Sequence, residues 1–328
     1  MNAVSMTAQA PQSDFSPAAA PALLDFSTWT NDRLARTEKA LSHWVGVDAP
    51  AGLGEAMRYA VLDGGKRLRP LLVWAAAEAV NGHMHAALRA GCAVELIHAY
   101  SLVHDDMPCM DNDVMRRGKP TVHVQFGEAS ALLAGDALQA LAFELLVPED
   151  AVGGVLEGEG NTTVPASLQA RLCRLLGRAA GAQGMAGGQA IDLASVGQTL
   201  TEAQLRNMHK LKTGALLQGS VLMGAACNEA VSPAAWQALT DYGQAMGVAF
   251  QVVDDILDVV ADSVTLGKTA GKDAANDKPT YVSLMGLEQA REHAEQLREQ
   301  AHAALARSGL ADTQALAALA DMVVRRRH

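Results

Sequence analysis

Two aspartate clusters lie within apolar stretches of this 328-residue chain. The first runs Asp105-Asp106-Met107-Pro108-Cys109-Met110-Asp111-Asn112-Asp113, and the second runs Asp254-Asp255-Ile256-Leu257-Asp258. A carboxylate in an apolar setting is costly unless something neutralises it. Two carboxylates about 4 Å apart repel by roughly 4 kcal/mol at an effective dielectric near 20. Charge concentrated in this way twice points to hard divalent cations. An all-oxygen donor set suits Mg²⁺ held by a few carboxylates together with phosphate oxygens and water. Asp105, Asp106, Asp111, Asp254, Asp255 and Asp258 are the candidate ligands.

Helical periodicity orders these groups. His98 and Asp105 are seven positions apart and share a face, with Ser101 between them on that stripe. Asp254 and Asp258 share a face with Gln251, while Asp255 points about a quarter turn away. Pro108 ends the first helix, so Asp111 can fold back beside Asp105. Cys109 within this cluster reads as a spacer, and the four cysteines have no paired spacing of the zinc or disulfide kind. That pattern fits a reduced, cytoplasmic setting.

Basic residues accompany both clusters. Gly64-Gly65-Lys66-Arg67-Leu68-Arg69-Pro70 places Lys66 and Arg69 on one face at a helix start, where anions are favoured. Arg116, Arg117 and Lys119 follow the first cluster. Lys210, Lys212 and Thr213 form a third group, and Lys268 and Lys272 follow the second cluster. Each group alone reads equally well as a solvated basic patch. Placed together beside metal-type carboxylates, they point to diphosphate. One set tied to metal and one without suggests two diphosphates. His98 is either a satisfied core histidine or a further diphosphate contact. His104 beside Asp105-Asp106 resembles the His-Asp pair of metal-dependent phosphohydrolases, but the other histidines give no matching ligand set.

The elements that position these residues are helices. The chain is 49% hydrophobic but only 4% aromatic, so Ala, Leu, Val and Met must build the core, a composition suited to helices. Helical periods are expected over 53–63, 70–80, 88–103, 129–147, 167–183, 202–226, 233–260, 287–307 and 313–327. Loops are expected over 149–165 and 262–279, and no strand-hairpin pattern is expected. The expected fold is an all-α, single-domain bundle, with residues 1–28 as a mobile tail and 29–328 as the domain. No targeting segment and no membrane span are expected; 130–147 comes nearest but is broken by Gly135-Asp136. A net charge of −10 with short basic clusters argues against nucleic acid as a partner. Lys119-Pro120-Thr121 and Lys278-Pro279-Thr280 hint at pseudo-symmetry.

These residues resemble the motifs of trans-isoprenyl diphosphate synthases: Gly64–Pro70, Asp105–Thr121, Gly187–Asp192, Lys212-Thr213 and Gln251–Asp258, in that order. Four residues separate Asp106 from Asp111, as in bacterial farnesyl and plant-type geranylgeranyl enzymes. The wording Ala99-Tyr100-Ser101-Leu102-Val103-His104 is most similar to the bacterial farnesyl type. Val114 and Met115 depart from the usual pattern.

The resemblance implies about ten or more helices around a central cavity, a homodimer and three Mg²⁺ per site. It implies that Asp105, Asp111, Asp254, Arg116, Lys212 and Lys268 hold an allylic diphosphate, and that Lys66, Arg69, His98 and Arg117, with Gly65, hold isopentenyl diphosphate. Thr213 and Gln251 would line the cation region, and Asp192 would have a supporting role. It makes Tyr100, with Ser101, the chain-length position, favouring a fifteen-carbon product, although Tyr100 is off the Asp105 stripe of an ideal helix. The loop 262–279 would close over the site. The basic terminus Arg325-Arg326-Arg327 either folds over the site or complements a helix C-terminus.

Geranyl or geranylgeranyl diphosphate synthase is the nearest alternative. A class I terpene cyclase would carry an Asn/Asp-Ser/Thr-Glu motif where this chain has Asp254–Asp258. A non-catalytic regulatory subunit would be expected to lose aspartates that are intact here.

Overall fold

A computed structural model describes residues 23–62, 64–148, 163–198, 200–260 and 280–326. Asp25 opens α1 (Phe26–Trp44) by accepting from the Thr28 N–H at 3.2 Å, satisfying a donor left free in the first turn. α2 (Leu53–Val61) and α3 (Leu68–Ala79) follow. α4 (Met84–Asp105) starts with His83 accepting from the Ala86 N–H. It is buried on nearly every side, as expected of a helix without a polar face. Its two buried charges have partners: Glu95 pairs with Arg67 at 2.7 Å, and Arg89 donates through Nη1 to the Leu145 carbonyl.

A short hairpin follows α4. β1 (Met115–Arg116) pairs antiparallel with β2 (Lys119–Pro120) across Arg117-Gly118, both at positive φ, as a primed two-residue turn requires. No hairpin was expected from the sequence; strands of two residues are too short to show alternation. α5 (Val122–Phe126) and α6 (Glu128–Leu146) come next, and α6 packs along α4.

The expected helix over 167–183 is α7 (Ala166–Ala180), and α8 (Met185–Ala194) follows where no helix was expected. The expected helix over 202–226 is α9 (Glu202–His209), a π turn (Lys210–Gly214) and α10 (Ala215–Ala226). α11 (Pro233–Val260) is the longest described helix. α12 (Tyr281–Met285), α13 (Leu287–Ala306) and α14 (Gln314–Arg325) complete the described chain. The core runs through α3, α4, α10 and α11, with Trp74, Leu96, Ile97, Val221 and Tyr242 fully buried.

α4 and α6 are long and apolar enough to cross a membrane by length and composition, contrary to the sequence expectation. α4 owes this to its place in the core; α6 exposes Leu132 and Leu133. α1 begins inside the stretch 1–28 expected to be a tail, and residues 1–22 lie outside the described residues.

Candidate active site

The first aspartate cluster sits where α4 ends. Pro108 stops the helix and the chain doubles back, with the Asp111 N–H donating to the Asp105 carbonyl at 2.9 Å and the Asp113 N–H donating to the Asp106 carbonyl at 3.1 Å. Asn112 makes this return at φ 51°, a region asparagine tolerates. The expected fold-back of Asp111 is therefore present. Burial pushes the Asp105 carboxyl up to about 6; Lys212 opposes the shift and the Asp111 charge reinforces it.

Asp106 differs. It is buried, and the Arg116 guanidinium donates to both its oxygens at 2.6–3.0 Å. Both oxygens of this expected metal ligand are thus engaged by Arg116, which ties the end of α4 to the hairpin strand β1. Arg116 makes these bonds through Nε and Nη2. Among the described residues, no three His, Cys, Asp or Glu side chains lie close enough to hold a metal alone. The fit is to an ion that brings phosphate oxygens and water with it, and the elevated Asp105 carboxyl is the group such an ion would relieve.

A cationic corner lies deeper along α4. Arg69 and His98 line the same cavity as Asp105. The Arg69 Nε is buried and has no hydrogen-bond partner. Arg117 packs over Gly65, where an added Cβ would meet the guanidinium at 3.0–3.2 Å, and it donates to the Gly64 carbonyl. Burial, reinforced by Arg69 and Arg117, holds the His98 imidazole well below its usual pKa, so it is neutral at physiological pH. A neutral ring can donate a hydrogen bond here without adding to the crowded positive charge.

α8 and the π turn build the facing wall. Gly188 lets them touch: a Cβ there would lie 2.1 Å from the Lys212 backbone nitrogen. This contact brings the Lys212 ammonium within 2.5 Å of Asp192. The Thr213 hydroxyl donates to Gln251 Oε1 at 3.1 Å, and Gln251 Nε2 donates to Asp255 Oδ1 at 2.8 Å. Asp255 Oδ2 accepts from the Tyr281 N–H at 2.8 Å. Asp255, also expected to bind metal, is thus buried with both oxygens engaged and anchors α12 to α11. Asp254 is the more open carboxylate, and Asp258 is buried one turn further along.

Arg326 resolves the two readings of the basic terminus. It lies over the Phe250 ring, donates to the Phe250 carbonyl at 3.0 Å and reaches Asp254 at 3.4 Å. Lys66 is close enough for Arg326 to depress its pKa, after the larger effect of burial.

These elements enclose a cavity of about 350 Å³ that gathers Arg69, His98, Tyr100, Ser101, Asp105, Lys212 and Thr213. Tyr100 reaches it despite its off-stripe position, and its ring stands edge-on to His104. His104 Nε2 turns toward the Leu132 carbonyl on α6, which leaves the phosphohydrolase reading without support. Gln189 was missed in the sequence. It lines the cavity with both amide atoms buried and unpartnered; the available signal was a polar side chain inside the Gly187–Asp192 motif. Lys210 lines a different cavity from Lys212. Lys268, Lys272, the loop 262–279, Lys278-Pro279 and Arg327 lie outside the described residues.

Fold and site together define a predominantly helical protein whose cavity sets Asp105 against Arg69, His98 and Lys212. The polyprenyl synthetase family model matches residues 50–318. The chain is 46% identical to the probable farnesyl diphosphate synthase of Bradyrhizobium diazoefficiens over 286 residues, covering 86% of this chain and 82% of that protein. It is similar to the crystal structure of a Zymomonas mobilis FPP/GFPP synthase, with a TM-score of 0.78 and 40% identity, covering 92% and 99% of the two chains. It is also similar to a Helicobacter pylori geranyltransferase complexed with magnesium and isoprenyl diphosphate, with a TM-score of 0.77 and 31% identity, covering 92% and 97%. The chain belongs to the polyprenyl synthetase family and is a prenyltransferase.

Proposed function

We propose that this prenyltransferase condenses isopentenyl diphosphate with dimethylallyl or geranyl diphosphate, giving farnesyl diphosphate and diphosphate. One observation supports the reading: a single cavity is lined by the carboxylate Asp105 and, apart from it, by Arg69 and His98, with Lys212 on the facing wall. The Asp105 and Asp111 end, faced by Lys212, suits a metal-bound diphosphate. The Arg69, His98 and Arg117 end suits a diphosphate bound without metal.

Asp105, Asp111, Asp254 and Asp258 would hold Mg²⁺, three ions per site by the family resemblance. Mg²⁺ supplies Lewis-acid neutralisation of the departing diphosphate. Lys212 adds a positioned positive charge where negative charge develops, and Lys268 joins it by the resemblance alone. The Thr213 hydroxyl and Gln251 amide, fixed by Asp255, present oxygen dipoles to the allylic cation. Lys66, Arg69, His98 and Arg117 hold isopentenyl diphosphate so that its double bond faces that cation. The departing diphosphate takes the final proton, so no protein base is needed. Tyr100 limits the length of the product. Residues 29–328 act as one synthase domain, in a cytoplasmic homodimer that would cover the exposed Leu132 and Leu133 of α6.

Calorimetric titration tests the two-site reading. Isopentenyl diphosphate should bind without Mg²⁺ and weaken at least about tenfold in Arg69→Ala. A non-reactive thio analogue of geranyl diphosphate should bind only with Mg²⁺. Equal Mg²⁺ dependence of the two would reject the reading.

A further inference from the structure

A second cavity of about 680 Å³ lies between α9, α11 and α13 and shares no lining residue with the catalytic one. Its size falls within the roughly 300–1,000 Å³ of small-molecule sites. The floor is apolar, formed by Ala245, Val248 and Leu297. Arg206, Lys210 and Arg307 line it against one acid, Asp241, on a chain whose net charge is −10. Asp241 is taken up by Arg307 and Glu202 pairs with Arg206, whereas Lys210 forms no ion pair among the described residues.

Tyr281 supplies an independent sign. It is only 1% exposed, it lines this cavity, and its hydroxyl has no hydrogen-bond partner. A buried, unanswered hydroxyl is costly, and a ligand oxygen that reached it would remove that cost. Lys210 belongs to the basic group singled out in the sequence, yet the catalytic site does not use it. Two positions along a helical turn place it on a different face from Lys212.

We propose that this cavity binds an amphipathic organic anion, its phosphate-like head on Lys210, Arg206 and the Tyr281 hydroxyl and its apolar body along Ala245, Val248 and Leu297. Occupancy reaches the catalytic cavity by two short routes. The Tyr281 N–H holds Asp255, and Lys210 begins the π turn that carries Lys212 and Thr213. This coupling, unlike the site itself, rests on the catalytic reading above.

Fluorescence of 8-anilinonaphthalene-1-sulfonate on the full-length protein tests the site, with the catalytic cavity held by Mg²⁺ and inorganic diphosphate. Decyl phosphate should displace the dye, and inorganic phosphate alone should not. Arg206→Glu should weaken dye binding about tenfold, as expected for loss of a charged head-group contact. Ala303→Trp, which fills the cavity from an exposed position, should abolish it, while Leu193→Trp in the catalytic cavity should leave it unchanged. Unaltered binding in Arg206→Glu and Ala303→Trp, or displacement by phosphate alone, would overturn the site. Decyl phosphate should also shift diphosphate affinity in the wild type but not in Ala303→Trp; no shift would overturn the coupling. Elongation of isopentenyl diphosphate, measured on the same preparations, separates either failure from failure of the prenyltransferase reading.

Discussion

The Lys212 ammonium donates to Asp192 at 2.5 Å, tying the π turn to α8 across the wall of the catalytic cavity. The contact fixes a flexible four-carbon stem and aims its charge at the region of Asp105. Asp192 is therefore a positioning residue. Asp192→Ala should lower kcat by about 100-fold with little change in KM, because a misplaced charge costs transition-state stabilisation more than binding. Steady-state kinetics checks this; a raised KM with normal kcat would contradict it.

Asp105 and Asp106 are neighbours with different work. Asp105→Ala should cut turnover by about 1,000-fold and leave the fold intact. Asp106→Ala should cost roughly 2–3 kcal/mol of stability, because it strips the Arg116 guanidinium of its partner while Arg116 stays partly solvated. Denaturant unfolding and turnover, measured on both variants, should show this crossed pattern.

The Asp105 carboxyl makes a pH prediction for the metal-free protein. Its folded pKa, about 6, lies above the ordinary value of 3.8. Between these values the folded state binds more protons than the unfolded state, so stability falls as pH rises from about 4 to about 6. Relative to Asp105→Asn, the wild type should lose up to roughly 3 kcal/mol over that window. Thermal unfolding in chelator at a series of pH values checks the sign. A wild type that gains stability over this range relative to the variant would contradict it.

Tyr100 closes the catalytic cavity beside Ser101 and His104. Tyr100→Ala should extend the product beyond fifteen carbons. Chromatography of the dephosphorylated alcohols checks this, and an unchanged product would remove Tyr100 from length control.

The helical fold was legible because α4 and α6 are long apolar runs poor in aromatic residues and α11 carries an apolar period. The fold-back of Asp111 was legible because Pro108 cannot continue a helix. Angular reckoning failed at Tyr100, since it gives the direction of a Cβ and not the reach of a long side chain. It also grouped Lys210 with Lys212, which the π turn directs into different cavities. Periodicity turned Asp255 away from the Asp254 face but could not reveal that the Tyr281 N–H occupies one of its oxygens. Nothing in the period exposed Gln189, whose unpartnered amide depends on the long-range packing of α8 against the π turn.

The central claim is that one cavity brings two diphosphates together for chain elongation. Full-length protein incubated with Mg²⁺, isopentenyl diphosphate and geranyl diphosphate tests it most directly. The prediction is a fifteen-carbon prenyl diphosphate, with one diphosphate released for each isopentenyl unit consumed. Diphosphate release without elongation, or no consumption of isopentenyl diphosphate, would contradict it.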